Sequence, residues 1–174
     1  MVGLERGVVK LEPYNCNWSI LFEKEREMLS SQLKGLIIKI EHVGSTSIEG
    51  LTAKPIIDIA IGVSSLDKFI RIKEKVKGIG YVEIPVNIDG KHVFVKDKEN
   101  KITHFLHVMI YNQKLWRDQI CFRDSLRSSP DAKLKYVKLK EELAKKYPND
   151  VISYTNEKKR FVDSILKKAR NRNI

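Results

Sequence analysis

The chain has 174 residues, 42% hydrophobic and 32% charged, a balance that suits a soluble globular protein able to bury about two-thirds of its unfolded surface. No apolar run approaches the roughly 20 residues needed to cross a bilayer, and the opening Met-Val-Gly-Leu-Glu-Arg has no apolar signal core, so a cytoplasmic protein without a membrane partner is expected. The net charge of +11 is unevenly placed: residues 114–174 hold 17 Lys and Arg against 8 Asp and Glu, and residues 1–113 hold 16 against 14.

In chain order, an extended segment over residues 7–11 comes first. Asn17 is then placed to cap a helix in which Trp18, Leu21, Phe22, Met28 and Leu29 mark one face, with Gly35 ending it after about Leu33. Two strands are expected over residues 36–43 and 55–63. Between them, Gly-Ser-Thr-Ser at 44–47 forms a turn where Ser45, Thr46 or Ser47 caps a short helix ending near Gly50. Period-two geometry sends Ile57, Ile59, Ile61 and Val63 to one face of the second strand and Ile56, Asp58, Ala60 and Gly62 to the other. The first set suits burial under helices. The second, a carboxylate followed by two small residues, leaves room above the sheet for a ligand.

Ser64 or Ser65 caps the next helix, with Asp67 in its first turn, Leu66, Phe69, Ile70 and Val76 facing in, and Gly78 as its stop. A hairpin follows over 81–86 and 92–96 around Asp89-Gly90, then a strand over 103–110. The rest reads as helical. One helix carries Leu115, Trp116, Ile120 and Phe122. A second is opened by Ser129-Pro130-Asp131 and runs over 134–147, with proline at its first position. A third begins at Thr155, with Phe161, Val162, Ile165 and Leu166 facing in. No repeat, low-complexity tract or linker divides the chain. One α+β domain over 1–174 is expected, sheet-rich over 1–112 and helical over 113–174, with a mixed β-sheet and flanking helices.

Cys16 and Cys121 lack metal-type spacing and read as reduced packing thiols. The basic C-terminal third suits attraction to nucleic acid or a polyphosphate ligand, or a solvated face of Lys-rich helices, which the alternation of lysines with apolar residues favours. Only Trp116, Phe122 and Tyr136 supply the aromatic interleaving that an RNA-associated role would use.

Strand, hydroxyl-rich turn, short helix and strand with an acid form an arrangement suited to holding a phosphate chain beside a metal ion. Backbone N–H groups at a helix start take phosphates, and carboxylates take the metal. The spacing resembles the nucleotidyltransferase superfamily: Gly-Ser, about ten residues, then Asp-x-Asp, with a third acid on a neighbouring strand. Here Gly44-Ser45 is followed, after twelve residues, by Asp58-Ile59-Ala60. Ala60 shares a face with Asp58, so two-metal chemistry is one carboxylate short. Asp89 is explained by its turn, and Glu41 should point away from His42 and Gly44, so neither replaces the missing acid well.

The segment His-Val-Gly-Ser-Thr-Ser-Ile-Glu-Gly-Leu-Thr-Ala-Lys-Pro-Ile-Ile-Asp-Ile, residues 42–59, resembles the signature of the GrpB family, a nucleotidyltransferase-like group. Further matches are Pro13-Tyr14 with Trp18, Phe22 and Glu25; the strand His104, Phe105, Leu106, His107, Val108; Phe122, Arg123 and Asp124 with Leu126, Arg127 and Pro130; and Tyr154 and Thr155 with Lys158 and Phe161. The resemblance covers about residues 8–169. It implies a nucleotidyltransferase-like fold but no settled reaction. Some members are fused to dephospho-CoA kinase, which hints at nucleotide or coenzyme chemistry.

On this reading Gly44, Ser45, Thr46, Lys54, Arg123, Arg127 and Lys158 bind nucleotide phosphates, and Asp58 with His107 holds Mg²⁺ or another divalent ion and carries the chemistry. His104 and His107, three apart in a strand, point to opposite faces. His107 is the one placed to meet Asp58 as ligand, phosphate donor or base, and a hydrogen-bonded structural role competes for each histidine, His42 included. The expected function is a nucleotide-binding, metal-dependent nucleotidyl- or phosphoryl-transferase acting on an unidentified acceptor, with a nucleoside triphosphate or other phosphorylated small molecule as partner. The alternative is a binding module that has lost turnover with its second carboxylate.

Overall fold

The computed structural model describes residues 2–86 and 88–172. Elements follow in the order β1 (Leu4–Glu5), α1 (Asn17–Gln32), β2 (Lys39–Val43), a 3-10 turn (Ser45–Ser47), β3 (Ile57–Val63), α2 (Lys68–Lys77), β4 (Tyr81–Ile84), β5 (Lys91–Lys98) and β6 (Lys101–Ile110). Three helices close the chain: α3 (Lys114–Ser128), α4 (Pro130–Lys146) and α5 (Val151–Arg172). The sheet order is β2-β3-β6-β5-β4, with β1 paired to the start of β6. β3 and β6 run parallel and the other pairs antiparallel, so the sheet is mixed.

The alternation read in β3 sets the layers. Ile57, Ile59, Ile61 and Val63 are fully buried against Trp18, Phe22 and Leu29 of α1, Leu33 just after it, and Phe69, Ile72 and Val76 of α2. Each such side chain contributes about 1.5–3 kcal/mol relative to exposure. The opposite face meets the C-terminal helices. Leu126, Ala132, Tyr136 and Ile165 close on Ile48 and Leu51, which follow the 3-10 turn. Trp116 of α3 packs on Val43, Ala60 and Met109.

That packing corrects one expectation. Ala60 and Gly62 do not leave room for a ligand. Ala60 is fully buried, and a Cβ added at Gly62 would sit 2.8 Å from the Tyr111 ring and 3.1 Å from that of Trp116. The small side chains admit aromatic rings, and open space remains only beside Asp58.

Element ends differ from the sequence reading for local reasons. Asn17 is the first residue of α1 and not its cap: Asn15 Oδ1 accepts the Asn17 N–H at 2.9 Å, two residues earlier. β2 starts late because Leu36 N–H turns back to Leu33 C=O, and β3 starts late because Pro55 has no N–H to give a ladder. Asp67 precedes α2 and does not lie in its first turn. α5 starts at Val151, ahead of Thr155, because Asp150 Oδ1 accepts the Ser153 N–H at 2.9 Å. Glu99 and Asn100, both at positive φ, make a two-residue turn between β5 and β6 without a glycine to announce it. Cys16 is exposed rather than packed, and no helix among the described residues is long and apolar enough to cross a membrane.

Candidate functional site

A cleft of about 350 Å³ opens between the uncovered part of the sheet, the 3-10 turn and the two last helices. β3 supplies Asp58, β5 Lys91 and Val93, and β6 Phe105 and His107. Gly44, Ser45, Thr46 and Lys54 come from the turn and the loop after it, Tyr136 and Lys140 from α4, and Tyr154 and Lys158 from α5. Of the residues the sequence singled out, Gly44, Ser45, Thr46, Lys54, Asp58, His107 and Lys158 therefore meet in one place.

The turn is built around Asp58. Gly44 has φ +68, and a Cβ there would collide with Asp58 Oδ2 and lie 2.8 Å from the Asp58 Cβ, so only glycine lets the carboxylate lie against the backbone. Thr46 is nearly fully buried. Its hydroxyl donates to Ile56 C=O at 3.1 Å and accepts from His42 Nε2 at 3.1 Å, so it ties the turn to β3 and has no side-chain proton left for a phosphate. Ser45 keeps its hydroxyl in the cleft, within 3.4 Å of Lys140 Nζ. His42 lies on the opposite face of the sheet, stacked on Phe22 at 4.6 Å, and burial drives its pKa down to about 4. It is a structural histidine.

Parallel pairing of β3 with β6 places His107 beside Ala60 and Phe105 beside Asp58. His107 Nε2 reaches Asp58 Oδ1 at 3.2 Å, with the two side chains 16% and 29% exposed. Burial lowers the His107 pKa against the pull of Asp58, so the ring is neutral at neutral pH. The tautomer that satisfies the contact carries its proton on Nε2, and Nδ1 is buried without a partner. His107 thus holds the Asp58 carboxylate through Nε2 and lines the cleft beside it. Burial alone would raise the Asp58 pKa, but the His107 hydrogen bond and the charges of Lys54 and Lys158 outweigh it, holding the carboxyl below its usual range and ionised. His104 lies on the other face, its Nδ1 2.9 Å from Thr103 Oγ1, as the alternation requires.

Four lysines line the cleft together with that single carboxylate. Lys54 and Lys158 lie 5.6 and 4.1 Å from the centroid of the Tyr154 ring, and Lys140 lies 4.8 Å from that of Tyr136. Lys140 also donates to Thr52 C=O. Burial, reinforced by the neighbouring ammonium of Lys54, pulls Lys158 down to about 7; burial and the charge of Lys158 do the same to Lys140. Burial lowers Lys54 and Lys91 against the attraction of Asp58. Lys91 and Lys140 were absent from the sequence reading. Lys140 had a signal: it sits on the buried stripe Ala132, Tyr136, Lys140, Leu143 of α4, where an apolar residue is expected. Lys91 opens an alternating strand and had none.

Arg123 and Arg127 do not form a phosphate clamp in the cleft. Arg123 Nη1 donates to Glu41 Oε2 at 2.8 Å and His42 C=O at 3.0 Å, and Arg127 Nη2 donates to Ser47 C=O at 2.7 Å. They brace the turn from behind. Glu41 does point away from His42, and this puts it across the ladder from Ala60, on the face of Asp58, where Arg123 engages it. The aromatic interleaving considered for RNA is core: Trp116 and Tyr136 are buried, and Phe122 packs edge-on against Tyr136. Among the described residues, no three His, Cys, Asp or Glu side chains are grouped to hold a metal.

The fold is nucleotidyltransferase-like. The Cid1 poly(U) polymerase in its Mg 3′-dATP-bound form superposes with a TM-score of 0.55 at 11% identity, over 84% of this chain and 49% of that one, a likeness of fold alone. The particular family is closer at hand. The profile of the GrpB protein family matches residues 8–168, and the chain belongs to that family. It is 46% identical over 171 residues to the glutamate-rich protein GrpB of Alkalihalophilus pseudofirmus, covering 95% of this chain and 98% of the relative. The crystal structure of the conserved protein GrpB from Enterococcus faecalis is similar at a TM-score of 0.86 and 30% identity, over 94% of this chain and 99% of that one.

Proposed function

We propose that the cleft binds a nucleotide or a related phosphorylated small molecule and presents its phosphates to Asp58 for nucleotidyl or phosphoryl transfer. The observation that carries this reading is that four lysines, the Ser45 hydroxyl and one ionised carboxylate line the same concave site on a nucleotidyltransferase-like fold. The Mg-nucleotide-bound Cid1 structures support nucleotides as ligands of such a fold.

The residues fit one Mg²⁺ and not two. Mg²⁺ is commonly held by one or two carboxylates together with substrate phosphates, so Asp58 can share a single ion with the ligand. A second ion has no carboxylate: Ala60 lies under Trp116, and Glu41 is held by Arg123. When bound, the ion would neutralise charge on phosphoryl oxygens. The chain's own residues do the rest. Lys54, Lys158 and Lys91 hold the anionic groups, His107 and Gly44 fix the direction of the Asp58 carboxylate, and Arg123, Arg127 and Thr46 keep the turn rigid.

A second reading, a phosphate-ligand binder without turnover, is favoured by the sealed position of Ala60. Calorimetric titration with Mg-nucleotide tests the site: Asp58→Ala should abolish the Mg²⁺-dependent part of binding while the fold survives, and unchanged binding would remove Asp58 from the assignment. Incubation with labelled nucleoside triphosphates and a metabolite pool separates the readings, since released pyrophosphate excludes the pure binder.

A further inference from the structure

One stretch of the cleft lining is apolar: Val93 of β5, Phe105 of β6, and Val86 and Ile88 from the segment that joins β4 to β5. The ladders place this wall beside Asp58 and His107. Phe105 is the partner of Asp58 between β3 and β6, and Val93 is the partner of His107 between β5 and β6. The Phe105 ring lies 6.2 Å from that of His107, tilted by 20°. Phe105 is half-buried and Ile88 is 46% exposed, so the wall is wetted in the ligand-free protein. Among the described residues, no Asn, Gln, Arg or Glu lines the cleft. These, with Asp, are the planar or forked side chains that read base edges through paired hydrogen bonds. The one Asp present is held by His107.

Resting on the proposed nucleotide site, we propose that this wall receives the base of a nucleoside triphosphate by its face, with Phe105 as the stacking ring, and that the cleft takes the four common bases alike. Every base has a π-face, so stacking adds affinity without choosing between bases. Taking the wall and the base face out of water together supplies the driving force. Because the wall is open to solvent, the base keeps its polar edges hydrated and needs no partner for them in the protein. The lysines, as point charges, are left to the phosphates. Phe105 thus separates a nucleotide from a bare phosphate chain, and nothing on the wall separates one nucleotide from another.

Isothermal titration of the full chain in Mg²⁺ with ATP, GTP, CTP, UTP and the base-free ribose 5-triphosphate tests this. The four nucleotides should bind within about tenfold of one another, and ribose 5-triphosphate at least about fivefold more weakly than ATP. A preference of more than about 100-fold for one base means that its edge is read, and overturns the inference. Ribose 5-triphosphate binding as tightly as ATP also overturns it and leaves the phosphate site standing. No binding by any of the five removes both readings. Phe105→Leu keeps an apolar side chain and removes the flat ring. It should weaken ATP about 5- to 10-fold, leave ribose 5-triphosphate unchanged, and melt within about 5 °C of the parent. Unchanged ATP binding in this variant, whatever its melting temperature, would make the wall part of the packing and overturn the inference.

Discussion

The face of β3 that carries Asp58, Ala60 and Gly62 has two halves with similar sequence cues and opposite fates. At Asp58 the strand meets a turn, a neutral histidine and lysines, and the space above stays open. Two and four residues on, the side chains are small, and Trp116 and Tyr111 fill the space they leave. A small residue on a sheet face shows that something comes close. Whether that is a ligand or an aromatic ring depends on which helix arrives there, and α3 arrives over Ala60. The contrast also bears on chemistry, because the sealed half is where a second metal-binding carboxylate would stand.

Restoring that carboxylate should break the protein before it adds activity. Ala60→Asp places an unpartnered acid beneath Trp116 and should cost about 3–5 kcal/mol in urea unfolding at pH 7. Its folded pKa lies above the unfolded value, so the penalty is small in acid and grows as pH rises through the unfolded pKa. Pairing it with Trp116→Ala opens the site to water, and the two changes should cost less together than their sum. An additive pair would mean that the tryptophan does not seal the position.

The open half is probed next by Gly44→Ala, which strains a positive-φ backbone and displaces Asp58, for about 1–3 kcal/mol of lost stability and loss of ligand binding. The opposite face gives an acid-side control. His42 is neutral when folded down to about pH 4 and charges near pH 6.5 when unfolded, so stability present above 6.5 is lost as pH falls, by about 2–3 kcal/mol at pH 4. A His42→Asn variant, compared by thermal melts at pH 7 and 5, should show a shallower loss. The lysines give the matching alkaline effect. Lys140 and Lys158 titrate near 7 folded and near 10.5 unfolded, so the unfolded chain holds more protons between those values, and ligand-free stability rises from pH 7 to 9 by about 2 kcal/mol per lysine, read as a higher melting temperature. Phosphate-chain affinity should move the other way, weakening as the ammoniums lose their protons. Parallel slopes would place the two lysines outside the phosphate site.

Much of the frame was legible because it rests on local periodicity. The alternation Ile57, Ile59, Ile61 against Asp58 and Ala60 fixed both faces of β3, the opposite orientations of His104 and His107 followed from their odd spacing, and Ser129-Pro130 marked the start of α4. The residues that define the cleft chemically were less so. Lys140 and Lys91 reach the site through tertiary placement of α4 and β5, 82 and 33 positions from Asp58 in the sequence. Arg123 and Arg127 have the chemistry of phosphate ligands, and only packing revealed that they serve backbone carbonyls. The function of Ala60 and Gly62 was misread because the depth of a space cannot be known without the ring that fills it.

The parallel pairing of β3 with β6 has a consequence for how the chain folds. The contact of His107 with Asp58 spans 49 residues, whereas β5 and β6 meet across the two-residue turn at Glu99 and Asn100. Loop closure delays the first and hardly touches the second, so the hairpin can form in about 1–10 μs, ahead of its docking on β3. The pair at the centre of the cleft therefore assembles late, after the strand that carries His107 already exists. Pulsed hydrogen exchange during refolding should protect the amides shared by β5 and β6 before those shared by β3 and β6.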